Sequence, residues 1–168
     1  MIQSQQDAAE YYAVHYWDKM TDPERAYPSD SLLVSGVRKD DLEQKYANWI
    51  GVLDLVDLKT SEKAIKNLYD KALVCEKKDG ASNVFETFEE LADKYMYNVN
   101  SPMRNEEYYL HYASRLATYE GFSQEERDKY AARAAGCALN RLGQKAADFR
   151  FADNRGRIHT LHGIKAPY

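Results

Sequence analysis

Six stretches of this sequence repeat apolar residues every three or four positions, and the pattern changes only after Gly143. That spacing is the period of one helix face, so it commits most of the chain to packed α-helices. The strongest stretch runs from about Arg38 to Asp57, where Leu42, Tyr46, Trp49, Ile50, Leu53 and Val56 make one stripe. Gly51 within it costs about 1 kcal/mol relative to alanine, a cost that close packing of a neighbouring helix would explain.

The other helices follow from caps and breakers. A first runs from Gln5 to about Met20, with Tyr12, Tyr16 and Met20 four apart, and stops at Thr21-Asp22-Pro23 because proline cannot continue a helix. Glu24 to Gly36, which includes Pro28, reads as an ordered surface loop. Thr60 or Ser61 caps a third helix carrying Ala64, Ile65, Leu68, Tyr69, Ala72 and Leu73, and Lys77-Lys78-Asp79-Gly80 ends it. Ser82 or Asn83 starts a fourth, with Phe85, Phe88, Leu91, Ala92 and Tyr95 inward and Glu86, Glu89 and Glu90 outward. Ser101 as cap, Pro102 in the first turn, and Glu106 and Glu107 at the positive end open a fifth. It carries Tyr108, Tyr109, Tyr112, Leu116 and Tyr119 and ends at Gly121. Ser123-Gln124-Glu125-Glu126 is a capping box for a sixth helix, alanine-rich to about Leu142, whose Gly136 lets a neighbour come close.

After Gly143 the period becomes two. Phe149 and Phe151 alternate with Asp148 and Arg150, Asp153 to Gly156 is rich in turn formers, and Ile158 to Leu161 can return. The expected fold is all-α: an antiparallel bundle of about six helices, followed by a short C-terminal β-hairpin. Short loops favour antiparallel neighbours. A lone hairpin is marginal in water, so this one must dock on the bundle or join a sheet further along the chain. Two units are expected, a helical domain over 1–142 and a separate hairpin over 143–168.

A chain of 168 residues can bury roughly 70% of its unfolded surface without staples. Its net charge of −4, with basic residues interleaved among acids, excludes a general nucleic-acid binder. No apolar run approaches the ~20 residues of a membrane span, and the polar start is not an export signal as written. The chain is thus cytoplasmic or has had a signal removed.

Fourteen tyrosines suit the boundary layer of a bundle, where the ring packs and the hydroxyl finds a partner. They could instead line a groove in a self-contained peptide- or glycan-binding module. Cys75 and Cys137 fall on apolar helix faces with no C-x-x-C, and read as buried, inert thiols. His15, His111, His159 and His162 make no metal signature: Glu107 and His111 are four apart, not three, and H-E-x-x-H is absent. No nucleophile elbow, P-loop or dinucleotide-binding glycine pattern occurs, so no catalytic residue, cofactor or metal is assigned. Arg104 stands out, because a base in the first turn of a helix is electrostatically unfavourable. It reads as a salt bridge to an acid on another helix, or as a partner contact.

Two sets of residues carry a resemblance. Gly143-Gln144-Lys145-Ala146-Ala147-Asp148-Phe149, then Asp153, Gly156-Arg157 and Thr160-Leu161, resemble the opening hairpin of thioredoxin-like thiol-disulfide oxidoreductases, with Ala147 for the usual proline and Arg157 for lysine. Tyr16-Trp17-Asp18, the run Tyr95 to Tyr108 with its N-S-P-M-R-N-E-E core, and Ala138-Leu139-Asn140-Arg141 resemble a bacterial domain of unknown function. That domain precedes thioredoxin-like domains in exported proteins of Gram-negative bacteria. The resemblance implies a periplasmic or envelope location and a parent protein in disulfide exchange. It implies a thioredoxin-like domain in cis and substrate proteins as partners. Its catalytic cysteines would lie beyond Tyr168, so the chain is expected to stop before the C-x-x-C motif and to be non-catalytic by itself.

Overall fold

The computed structural model describes residues 4–25, 32–139 and 141–165. Six helices carry most of them: α1 (Gln5–His15), α2 (Lys39–Leu53), α3 (Leu58–Lys78), α4 (Val84–Ala92), α5 (Glu106–Leu116) and α6 (Gln124–Cys137). A π-helical turn, Asp93–Tyr97, extends α4. Strand β1 (Leu33–Val34) pairs antiparallel with β2 (Val37–Arg38), and β3 (Arg150–Ala152) with β4 (Ile158–Thr160). The helical bundle and the C-terminal hairpin are both as the period change implies.

The central element is α3, which packs on α1, α4 and α5, while α5 also packs on α6. Its stripe of Ala64, Ile65, Leu68, Tyr69, Ala72 and Leu73 is buried. So is the α2 stripe of Leu42, Tyr46, Trp49, Ile50 and Leu53. Asp57 begins α3 by accepting a hydrogen bond from the Thr60 amide at 2.7 Å. The expected caps Thr60 and Ser61 lie inside the helix, and α2 stops at Leu53 rather than Asp57. The Ser61 hydroxyl donates to the Leu53 and Asp57 carbonyls, both at 3.1 Å, which joins the two helix ends.

Helix α1 is shorter than its periodicity predicts. It ends at His15, and residues 16–20 form tight turns in which the Trp17 carbonyl accepts from the Thr21 amide and hydroxyl, both at 3.0 Å. The inward residues are Ala13 and Trp17, and Tyr12 is exposed. Trp17 meets Phe88 edge-on with centroids 4.9 Å apart. The last α1 carbonyls are taken by neighbours: Ala13 by the Trp49 indole at 2.9 Å and Val14 by Asn67 at 2.8 Å. Tertiary packing thus satisfies what a longer helix would have satisfied internally.

Part of the expected loop over Glu24 to Gly36 is a tight hairpin. Ser35 and Gly36 both take positive φ, 47° and 75°, the geometry of a primed turn whose twist matches the strands. Residues 26–31 of that loop, Pro28 among them, lie outside the described residues, as does Asn140. The fifth helix begins later than Ser101-Pro102 suggest. Asn105 is its cap, accepting from the Glu107 and Tyr108 amides at 3.1 and 3.2 Å, while the Ser101 hydroxyl donates to the Tyr95 carbonyl at 2.6 Å. It ends at Leu116, short of Gly121. The capping box of α6 is present on Ser123 and Glu126, and α6 ends at Cys137 rather than Leu142.

Neither Gly51 nor Gly136 marks a close helix approach. Both are exposed, and a methyl group added at either would meet nothing within 4 Å. Gly51 therefore carries only its entropic cost. Replacing it with alanine is expected to stabilise the fold by about 0.5–1 kcal/mol in urea unfolding; a destabilised variant would show that this site has a packing role after all.

Candidate functional site

The densest polar arrangement grows from the π-turn. There the Asn98 amide reaches the Asp93 carbonyl five residues back, at 2.9 Å. One extra residue in the turn shifts the apolar register: Met96 is fully buried, and Tyr95, expected inward, is half-buried with its hydroxyl on Glu43 at 2.6 Å. Burial, then the Glu43 carboxylate, pushes the Tyr95 hydroxyl up to about 12. Such π-turns recur at functional positions, where they re-aim a side chain.

The side chain re-aimed here is Asp93. It accepts from the Tyr109 hydroxyl at 2.6 Å and from Arg133 Nη1 at 2.8 and 3.0 Å. Arg133 Nη1 also lies 2.7 Å from the Tyr109 oxygen. The Arg133 guanidinium sits 4.8 Å over the Tyr97 ring and 5.6 Å over Tyr130. Tyr97 in turn stacks on Tyr109 with centroids 4.3 Å apart, and the Tyr130 hydroxyl donates to Glu89. Burial, then donation to Asp93, raises the Tyr109 hydroxyl well above the usual phenol range. Burial works against the charge on Arg133, but Asp93 and Tyr109 outweigh it and raise that group further. The chemistry is that of an ionic and cation–π staple tying α4 to α5 and α6.

A second polar line crosses the core. The Tyr46 and Tyr69 hydroxyls are 2.9 Å apart, and Tyr69 donates to the Phe88 carbonyl at 2.9 Å. Tyr112 differs: its buried hydroxyl faces that of Tyr130 without meeting hydrogen-bond geometry. Among the described tyrosines only Tyr11 and Tyr12 are exposed. Most of the described rings therefore pack inward, and an aromatic groove for a peptide or glycan finds no support among them.

The residues singled out in the sequence are dispersed. Arg104 is bonded to Glu106, two residues on at the start of α5, not to an acid on another helix. The acid of that turn offsets the misplaced base. Cys75 and Cys137 are buried and free. Burial raises both thiols, aided by Asp22 at Cys75 and by Glu106 at Cys137, so little thiolate forms. His15 pairs with Asp18 at 2.8 Å, and His111 stands 3.6 Å from Glu62. His159 meets Asp153 at 3.1 Å within the hairpin, where His162 meets the Ala146 carbonyl at 2.7 Å. Among the described residues no group of three or more His, Cys, Asp and Glu could hold a metal ion. No helix there is long and apolar enough to cross a membrane.

The hairpin is self-contained. Among the described residues its strands join no sheet but their own, and Phe149 and Ile158 are exposed. Asp153 organises the turn, accepting from the Arg155 and Arg157 amides at 2.8 and 2.9 Å. The Arg157 amide first, then His159 and the Arg155 amide, hold its carboxyl at about 2.

A bundle of six helices with a C-terminal hairpin and an internal ionic staple defines a helical module with an appended ribbon. Residues 1–140 match the family model described as a domain of unknown function (DUF5106), and the chain belongs to that family. No curated protein matches it. It is similar to the crystal structure of a thioredoxin-like protein from Bacteroides caccae ATCC 43185, with a TM-score of 0.78 and 30% identity. That alignment covers 98% of this chain and 55% of the other, so the chain spans about half the length of its neighbour.

The staple and the orphan hydroxyl respond oppositely to loss of oxygen. Tyr109→Phe is expected to cost about 2 kcal/mol, because two charged partners lose a hydrogen bond. Tyr112→Phe is expected to stay within about 0.5 kcal/mol of the parent or to stabilise it, since an unpaired polar atom is removed. Denaturant unfolding of both variants separates the two roles. In the hairpin the depressed carboxyl contributes above the ordinary aspartate value near ~3.9 and is lost as pH falls through about 2. The Arg155 and Arg157 amide NMR shifts are therefore expected to titrate with a midpoint near 2.

Proposed function

We propose that residues 1–142 are the non-catalytic helical domain of a bacterial envelope thiol-disulfide oxidoreductase. In this reading residues 143–168 are the first hairpin of its thioredoxin-like domain. The observation that carries it is the alignment to a thioredoxin-like protein over 98% of this chain, which reaches past residue 140, where the family match ends. The hairpin's exposed apolar residues and its pairing in a two-stranded sheet of its own support the same reading, because a two-stranded ribbon gains stability by joining a larger sheet.

The helical domain then holds the redox domain near a substrate protein or recognises that substrate. Its own thiols are poor nucleophiles for the reasons given above. Arg104 is the charge we assign to partner contact: its Nη2 is engaged by Glu106, and its side chain is partly exposed. A periplasmic or envelope location goes with the family resemblance.

Two measurements test this. The gene is expected to continue past Tyr168 into a thioredoxin-like sequence with C-x-x-C; a different continuation sinks the redox assignment. The isolated chain is expected to reduce insulin no faster than background, with Cys75→Ser and Cys137→Ser unchanged. Reduction that either substitution abolishes would overturn the non-catalytic role.

A further inference from the structure

We propose that the end of the bundle where α3 and α5 begin is the face that receives the thioredoxin-like domain, with Leu55, Leu58 and Leu142 as its apolar contacts. The identity of that partner rests on the function proposed above; the face itself is built by this chain. Three parts of the chain meet there. The Tyr108 hydroxyl, in the first turn of α5, donates to Asp54 at 2.8 Å, which places Leu55 beside α5. His111, one turn further on, stands 3.6 Å from Glu62, which lies one turn into α3 from Leu58. Glu107 accepts from Arg141 Nη2 and from the Leu142 amide, both at 2.9 Å, which brings the chain after α6 to the same place. Lys66 first, then the charges of His111 and Arg141, lower the Glu62 carboxyl, so Arg141 lies within reach of the first turns of α3.

Single exposed leucines are ordinary on a helical surface, because polar atoms cannot cover all of it. These three are not scattered. Leu55 is 68% exposed, Leu58 44% and Leu142 78%, and two loops and a helix start bring them to one end. Arg141, Glu62 and Glu107 lie among them, and Arg104, assigned above to partner contact, is bonded to Glu106, the first residue of α5. Interfaces between domains of one chain combine an apolar centre with a charged rim in this way. Continuity of the chain selects the occupant. Leu142 immediately precedes Gly143, where the chain leaves for the hairpin, and only residues 143–149 separate it from β3. Fully extended they span about 25 Å, so whatever β3 joins stays near this end. Nearly half of the thioredoxin-like neighbour lies outside the alignment, enough for a domain. Seating that domain here removes the three leucines from water.

Methyl NMR of the full-length protein against this 168-residue chain tests the face. The methyl signals of Leu55, Leu58 and Leu142 are expected to shift when the following domain is present. Val74, exposed on α3 about 24 Å along the helix from Leu58, is expected to keep its signal. In the full-length parent the two domains are expected to tumble with one correlation time, and in the Leu55→Ser/Leu58→Ser variant with two. Both sites are exposed, so the bundle is expected to keep its amide spectrum, which separates lost docking from lost folding. Leucine methyls that stay put beside a folded thioredoxin-like domain overturn the proposal and leave the redox reading standing. A double variant that still tumbles as one body overturns it as well. Leucine signals that move with concentration in the 168-residue chain mark a second copy as the occupant, which also overturns it. A gene that continues into no thioredoxin-like sequence ends both readings at once.

Discussion

A tyrosine buried among helices brings a hydroxyl that must find a partner, and this bundle is organised around meeting that demand. Leucine in the same places would pack with fewer conditions. Here Tyr46 and Tyr69 share a bond and pass one to a main-chain carbonyl, Tyr108 donates to Asp54, and Tyr109 and Tyr130 donate to carboxylates. Each bond fixes the relative rotation of two helices, which apolar contact alone does loosely. The cost of leaving such a group unmet in low dielectric exceeds the net gain from making the bond, so the pattern specifies one packing more than it adds stability.

The π-turn follows from the same constraint. A regular α-helix through Asp93 would keep Tyr95 on the inner face and leave Met96 outside. One inserted residue buries Met96, sends the Tyr95 hydroxyl to Glu43, and brings Asp93 against Tyr109 and Arg133. The end of the turn is closed: the Met96 carbonyl accepts from the Asn105 amide at 3.0 Å. The loop between, with its N-S-P-M-R-N run, therefore closes a helix and caps the next. That gives a structural reason for the stretch that carries the family resemblance.

The hairpin obeys different rules. Its stability comes from Asp153 and main-chain pairing, with no share in the core. A ribbon with exposed Phe149 and Ile158 is incomplete as a folding unit, which fits its place at the edge of a larger fold in the proposed parent.

The apolar period was enough to find six helices, the α2 and α3 stripes, the Ser123 capping box and the change to strand pairing after Gly143, because these depend on residues within a few positions of each other. Helix ends were less legible. Asp57 and Asn105 won over nearby serine and threonine candidates, and α1 stopped at His15, because Trp49 and Asn67 from other helices took its last carbonyls. The Asp93–Tyr109–Arg133 staple left only a faint trace, an apolar period that slips by one near Met96. The sequence by itself determined which faces must be buried and where the chain changes its kind of structure. Only the tertiary structure decided which hydroxyl meets which carboxylate, since those choices are made by groups tens of residues apart competing for the same few unsatisfied atoms.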